Sequence, residues 1–253
     1  MTKDIERLAQ LIIESKKVVV FTGAGISTES GIPDFRSPGG IWSRYDPEDF
    51  TIQKFLSGPA ARKAIWKMSV ESGLLTEAEP NRAHYAIAEL YQLGKLDCVI
   101  TQNIDNLHQK AGVPEHMVFE LHGNMQWAVC LSCHKRFPMH EVLGKIKAGI
   151  EVPDCPECHG ILKPDAVFFG EALPQDTLRE AIRRSQSCDL LIVVGSTLLV
   201  YPAAYIPTYA KEAGVKLAIV NLSLTPLDDY AAVVIRGRAG ETMSSVMGMV
   251  RPR

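Results

Sequence analysis

The sequence predicts a doubly wound α/β domain built on a parallel sheet, with a smaller lobe inserted beside it. Three observations predict this. Short β-branched runs recur along the chain, helical-period segments separate them, and two stretches interrupt the alternation. The runs are Val18–Thr22, Cys98–Thr101, Leu190–Gly195, Lys216–Asn221 and Ala232–Ile235, each nearly continuous in apolar character, as strands covered on both faces must be. Between them lie the periodic segments Asn81–Gly94, Pro174–Gln186 and Pro202–Gly214; the first and third end in a glycine that can stop a helix. Alternating β and α units imply helices on both sheet faces.

The N-terminal segment MTKDIERLAQLIIESKK places Ile5, Leu8, Leu11 and Ile12 at helical spacing and reads as a first helix. Residues 37–77 open with Ser37-Pro38-Gly39-Gly40 and become helical, and residues 127–163 hold four cysteines and few strand-forming runs. The expected division is a main domain of 1–36, 78–126 and 164–253, a helical insertion at 37–77 and a cysteine-bearing insertion at 127–163.

With 253 residues and 46% hydrophobic content, the chain can bury a substantial core. Lys and Arg total 27 against 29 for Asp and Glu, so no global field draws it to nucleic acid or an anionic membrane. No window approaches the roughly 18 uncharged apolar residues of a membrane span. The six cysteines are not spread like a disulfide framework. These features predict a cytoplasmic protein that recognises its partners locally.

The first candidate site is Gly23-Ala24-Gly25-Ile26-Ser27-Thr28, following a strand at the edge where open α/β sheets bind ligands. Glycines let backbone N–H groups approach a phosphate. The dinucleotide fingerprint would place a third glycine at Thr28 and an acid about 20 positions on, and both are missing, so spacing alone equally fits a tight βα turn. Gly31-Ile32-Pro33-Asp34-Phe35-Arg36 then sets a rigid turn, an acid, an aromatic and a cation in six residues, which suits a loop folding over a ligand as well as a local Asp34–Arg36 contact. Gln102-Asn103-Ile104-Asp105-Asn106 ends a second strand with amides and a carboxylate suited to hydroxyl and carboxamide groups, or to capping the next helix through Asp105. His122, between an apolar run and Gly123, has the side chain of a general base near neutral pH, and equally that of a hydrogen-bonded core histidine.

Cys130-Leu131-Ser132-Cys133 and Cys155-Pro156-Glu157-Cys158 form two paired thiol turns at zinc-ribbon spacing. Four thiolates leave no open coordination position, so one Zn2+ here would be structural. Cys98 and Cys188 read as buried thiols.

Taken in order, Gly23–Ser27, Gly31–Arg36, Thr101–Asp105, Leu121-His122-Gly123 and the cysteine quartet resemble the sirtuins. So do Val167–Glu171, Gly195-Ser196-Thr197-Leu198, Val200–Ala203 and Val220-Asn221-Leu222, so the likeness spans nearly the whole chain, with the short flanks of a minimal prokaryotic-type core. The resemblance implies a Rossmann-like NAD-binding domain and an NAD-dependent protein-lysine deacylase acting on acetylated lysine in proteins or peptides. It assigns the phosphates to Gly23, Ala24, Gly25, Ser27 and Thr28, and the covering loop to Asp34, Phe35 and Arg36. Gln102 would meet the nicotinamide ribose, and Asn103, Ile104 and Asp105 would form the nicotinamide pocket. Gly195, Ser196, Thr197, Asn221, Leu222 and Ala239 would hold the adenosine half.

His122 would be the catalytic base, with Asn103 beside it in the chemistry. Phe35, Val167 and Phe168 would line the acyl-lysine tunnel, and Gly170, Glu171, Leu199 and Val200 would pair with the substrate backbone. The implied reaction has the acyl oxygen attack the ribose carbon as nicotinamide departs, after which a ribose hydroxyl deprotonated through His122 attacks the intermediate. Mono-ADP-ribosyl transfer would use the same pocket. Where succinyl-preferring sirtuins carry a Tyr and a nearby Arg, this chain offers Ser69 and Ser72 in the helical insertion, which implies neutral acyl groups, acetyl first.

Overall fold

The computed structural model describes residues 2–35, 37–72 and 78–251. Six strands form one parallel sheet: β1 (Val18–Thr22), β2 (Leu96–Thr101), β3 (Val118–Glu120), β7 (Leu190–Val194), β8 (Lys216–Val220) and β9 (Val233–Ile235). Their order is β3-β2-β1-β7-β8-β9. The chain thus starts at the centre, builds outward one way, then crosses back to build the other way, placing a switch point between β1 and β7. Every residue of β1 and β7 is buried, which is why these strands read as unbroken apolar runs.

Two cores sandwich the sheet. On one face α1 (Thr2–Glu14), α4 (Arg82–Gln92) and α9 (Ala239–Val250) pack, with Leu8, Ile87 and Val246 buried against Val20 and Ile192. On the other, α7 (Gln175–Gln186) and α8 (Tyr205–Glu212) contribute Ala181 and Ile206 against Phe21 and Val193. The periodic apolar positions of α1 explain its docking, since Leu8, Leu11 and Ile12 fall on one stripe and are buried. No helix among the described residues is long and apolar enough to cross a membrane.

The lobe contains α2 (Ile52–Leu56), α3 (Pro59–Ser72) and a three-stranded antiparallel sheet of order β5-β4-β6. Its strands are β4 (Gly123–Cys130), β5 (Arg136–Pro138) and β6 (Leu162–Ala166), and α6 (Met139–Lys147) covers them. The remaining short helix, α5 (Leu107–Lys110), follows the polar end of β2. Trp66 of α3 is fully buried among Ala128, Met139, Val142 and Leu162, joining the helical insertion to the small sheet.

At the switch point the loops after β1 and β7 touch. Gly25 N–H donates to Gly195 O at 2.8 Å. Gly195 has φ +65°, and a Cβ there would lie 2.1 Å from Ile26 N. Gly195→Ala therefore meets both a strained dihedral and a backbone clash, and should destabilise the protein by about 2–4 kcal/mol in denaturant titrations. An unchanged midpoint would show that the two loops yield more easily than this packing allows.

Candidate active site

Four loops converge at the carboxyl edge of the parallel sheet. The glycine loop enters a short 3-10 helix, Ala24–Ser30, directly after β1. Its glycines are required by packing: a Cβ on Gly25 would lie 2.8 Å from Gly195 O, and one on Gly23 would lie 2.9 Å from Ser196 Cβ. Asn81, at the start of α4, donates through Nδ2 to Ile26 O at 2.7 Å and to Ser30 Oγ at 3.0 Å, fixing the loop from behind. Thr28 is exposed beside it, its hydroxyl donating to Gly25 O at 3.0 Å.

The end of β2 interlocks with this loop. Ser27 Oγ donates to Asp105 Oδ2 at 2.6 Å and accepts from Asn103 Nδ2 at 3.1 Å. Asp105 Oδ1 accepts the Leu107 N–H at 3.0 Å from one residue before the N-cap, Asn106, so this carboxylate steadies the entry to α5 and braces the site at once. Ser27, Asn103 and Asp105 are all buried, and such groups are retained only when bonded. Gln102 reaches across the switch point, donating to Ser196 Oγ at 2.9 Å.

Beneath them Thr22 donates to Thr101 Oγ1 at 2.8 Å and lies 2.9 Å from His108 Nε2. Burial pushes His108 down to about 4, and His84, 5.1 Å from it between ring centroids, down to about 3. Both imidazoles are therefore neutral, and their neutrality stabilises the fold above pH 6.5 and is lost as pH falls toward those values.

His122 Nδ1 lies 2.8 Å from Gln102 O. A carbonyl only accepts, so Nδ1 carries the proton and Nε2 keeps its lone pair. Burial lowers the His122 pKa from 6.5, opposed by that backbone bond. Near pH 7 the ring is a neutral imidazole with a defined acceptor nitrogen, the form a general base requires. The His122 carbonyl accepts the Val167 N–H at 2.8 Å, tying the histidine to the segment after β6.

In the covering loop, Asp34 accepts from Ser37 N at 2.7 Å and Ser37 Oγ at 2.6 Å. Phe35 is partly exposed and stacks on Trp42 at 5.2 Å; Trp42 also meets Phe50 at 5.4 Å and Phe169 at 5.9 Å. Arg36 lies outside the described residues, as does the Ser72 side chain. Trp42 and Phe169 escaped the sequence reading. The signal was present in Gly40-Ile41-Trp42, an aromatic beside a glycine turn, but which aromatics meet depends on a fold-back that spacing does not encode.

Val167 is half-buried and packs against the core under α7 and α8, while Phe168 is buried edge-on to Phe55 at 5.4 Å. Gly170, with φ +85°, and Glu171 end this segment; Leu199 and Val200 lie in the irregular stretch after β7. Thr197 is half-buried there, Asn221 is buried with Nδ2 donating to Ser223 O at 2.9 Å, and Leu222 is exposed. Ala239 begins α9, whose Gly240 N–H donates to Glu29 of the glycine-loop helix at 2.6 Å. Ile104 is half-buried, and its carbonyl accepts from Met125 N on β4 at 2.9 Å.

The four sulfurs of Cys130, Cys133, Cys155 and Cys158 lie within 4.8 Å of one another. Cys130 and Cys158 are separated by 3.5 Å, and Cys133 and Cys155 by 3.7 Å. Tetrahedral zinc with bonds of about 2.3 Å requires roughly 3.8 Å between sulfurs, so the cluster fits the ion. Each pair sits in the same turn: His134 N–H reaches Cys130 O at 3.0 Å, His159 N–H reaches Cys155 O at 2.9 Å, and both histidines have φ near +60°. Cys98 and Cys188 are buried and free; burial raises both thiols, Cys188 to about 12.

Polar groups gathered at the switch point of a six-stranded parallel sheet define a nucleotide-binding α/β domain. A sequence model of the Sir2 family matches residues 23–202. NAD-dependent protein deacetylase 1 of Pyrobaculum aerophilum is 45% identical over 251 residues, covering 99% of this chain and 96% of its own. NAD-dependent protein deacylase 2 of Archaeoglobus fulgidus is 47% identical over 253 residues, covering 99% and 98%. A solved Sir2 complex with a deacetylated p53 peptide and 3'-O-acetyl ADP-ribose has a TM-score of 0.86 at 42% identity, over 96% of this chain and 97% of that one. The chain belongs to the Sir2 family.

The sulfur cluster yields a direct expectation. Zinc should be found bound to the purified protein by elemental analysis, and a strong chelator or Cys155→Ser should release it and expose the Trp66 core to solvent, read by fluorescence. Retention of native tryptophan emission after complete metal loss would show that the lobe holds without it.

Proposed function

We propose that this chain is an NAD-dependent protein-lysine deacetylase. It releases nicotinamide from NAD and transfers the acyl group of a modified lysine to ADP-ribose, leaving free lysine and O-acetyl-ADP-ribose. The observation that carries the reading is His122. Its Nδ1 proton is fixed on the Gln102 carbonyl, at the end of the strand whose next residues interlock with the glycine loop. A neutral Nε2 so held can accept a proton from a ribose hydroxyl. The deacetylase and deacylase relatives, and the family complex with acetylated ADP-ribose, support the same chemistry.

In this reading Gly23, Ala24, Gly25, Ser27 and Thr28 hold the NAD phosphates, with Asp34, Phe35 and Arg36 in the loop above. Gln102, Asn103, Ile104 and Asp105 receive the nicotinamide ribose and carboxamide. Asp105 is suited to this because Ser27 and Leu107 leave its position no freedom. Gly195, Ser196, Thr197, Asn221, Leu222 and Ala239 serve the adenosine half. Asn221 uses its NH2 internally, so its amide oxygen is the group offered to a ribose hydroxyl.

Phe35, Val167 and Phe168 exclude water from the cationic ribose centre, and Gly170, Glu171, Leu199 and Val200 pair with the peptide backbone. The division at 37–77 and 127–163 separates this nucleotide domain from the lobe, although β4 and β6 run across the borders at 127 and 163. Zinc bound by the four cysteines supplies structure and takes no part in the reaction. A cytoplasmic setting suits the free thiols of that cluster, which must stay reduced to hold a metal.

Incubation with NAD and an acetyl-lysine peptide should yield O-acetyl-ADP-ribose by mass spectrometry; intact NAD alongside unchanged peptide would reject the reading. The pH dependence follows from His122. Its pKa is depressed below 6.5, so activity should be full at neutral pH and fall only as pH drops through that lower value. His122→Ala should lower kcat by about 100-fold or more while NAD binding persists. An acid limb centred above 6.5 would contradict the buried, neutral base.

For acyl choice, Ser69 is buried and bonds Ile65 O at 2.9 Å, presenting no cation to an anionic acyl chain. Acetylated peptide should therefore react faster than its succinylated twin, and the opposite order would require a counter-charge from elsewhere in the lobe.

A further inference from the structure

Lys163 lies on β6 with only 4% of its side chain exposed. Burying an ammonium is costly unless each N–H finds an acceptor. Here Nζ donates to Ala166 O at 2.5 Å and Pro164 O at 3.2 Å, and pairs with Glu171 Oε2 at 3.0 Å. It also stands 4.4 Å from the centroid of the Phe168 ring, within cation–π range. Glu171 Oε2 in turn accepts the Phe168 N–H at 2.6 Å. One cation and one carboxylate thus fasten both ends of the segment 164–171 and the ring at its centre.

That segment has two further attachments. The Val167 N–H bonds the His122 carbonyl at 2.8 Å. Phe169 exchanges bonds with the helical insertion, its N–H reaching Phe50 O at 2.9 Å and its carbonyl accepting Ile52 N–H at 3.0 Å. Lys163 is therefore the interior anchor of the stretch that joins the base, the lobe and the acyl-lysine channel, with its ammonium turned onto the segment's own groups. An apolar residue would fill the same volume without the desolvation cost, which points to placement of the segment as its role.

We propose that Lys163, paired with Glu171, is a positioning residue for acyl-lysine binding: it fixes Val167 and Phe168 in the geometry that accepts the substrate, without touching it. This rests on the deacetylase reading above and deepens it.

The test is steady-state kinetics with an acetyl-lysine peptide, alongside direct measurement of NAD binding. Lys163→Met keeps most of the unbranched stem and loses the charge. It should raise the peptide KM by roughly tenfold with a smaller change in kcat, and leave the NAD dissociation constant within about twofold. Lys163→Arg, which retains the cation, should recover most of the loss. A merely structural role would lower NAD and peptide binding together.

That parallel loss, or a wild-type peptide KM in folded Lys163→Met, would overturn the proposal. Should Lys163→Met fail to fold by near-ultraviolet dichroism, Lys163→Gln, which keeps amide N–H donors for the Ala166 and Pro164 carbonyls and loses the charge, decides: a raised peptide KM with unchanged NAD binding supports the anchor and an unchanged one refutes it. Peptide-dependent nicotinamide release by the unmodified protein is the separate control, since its absence would reject the deacetylase reading itself.

Discussion

The crossing of two backbone loops at the centre of the sheet is the constraint from which the site follows. Gly25 and Gly195 approach until no Cβ fits between them, and the Gly25 N–H closes the contact on the Gly195 carbonyl. The contact exists because β1 and β7 are adjacent and parallel where the strand order reverses, so the loops that follow them leave the sheet side by side. Once the loops are locked, Ser27 is carried under Asn103 and Asp105, and Gln102 is brought to Ser196. Residues distant in sequence become neighbours because two glycines permit one hydrogen bond.

A second consequence is electrostatic. The layer beneath the crossing is polar yet buried, and it is held by hydrogen bonds in place of ion pairs: threonine to threonine, threonine to imidazole, serine to carboxylate. Burial suppresses protonation of His84, His108 and His122 alike, so none competes as a fixed cation with the positive charge that develops on a ribose when nicotinamide leaves. The neutral imidazole of His122 is thus matched to its surroundings. An imidazolium there would be both costly to bury and useless as a base.

Much of this was legible in the sequence, unevenly. The five runs read as strands all lie in the parallel sheet, because strands buried on both faces must be apolar throughout. Val118–Glu120 is also a strand, but its run ends in Glu120, whereas Val233–Ile235, an edge strand of the same length, is apolar throughout. The paired cysteines announced their cluster, since a four-sulfur site leaves its spacing in the chain. The glycines were seen, yet for a different reason: they are needed where loop meets loop, a demand that arises only once β1 and β7 are adjacent. Asp105 is not the cap of the next helix, a position taken by Asn106, yet one of its oxygens accepts that helix's first N–H while the other braces the site. The aromatic contacts of Trp42 and the anchoring of Lys163 are tertiary facts, set by which segments fold back on each other.

The zinc ribbon looks remote from the reaction, but two strands connect them. β4 begins at Gly123, next to His122, and ends at the metal-ligand position Cys130. β6 runs back beside it, from Leu162 paired with Cys130 to Ala166 paired with Gly123, and continues into Val167. Each strand therefore has one end at the sulfur cluster and the other beside the base. At the base end the fit is tight: Gly123 has φ +82°, and a Cβ there would lie 2.2 Å from the Asp165 carbonyl. Between the two ends the register shifts, so each end is fixed by its own bonds. The regular pairing holds only at the sulfur end, Ala128–Cys130 against Leu162–Pro164, and the shift beyond it leaves the Val167 N–H bond to the His122 carbonyl to secure the base end. The sulfur cluster and the base thus share two strands, and the irregular stretch between them divides the part that the thiolates brace from the part that the His122 carbonyl holds.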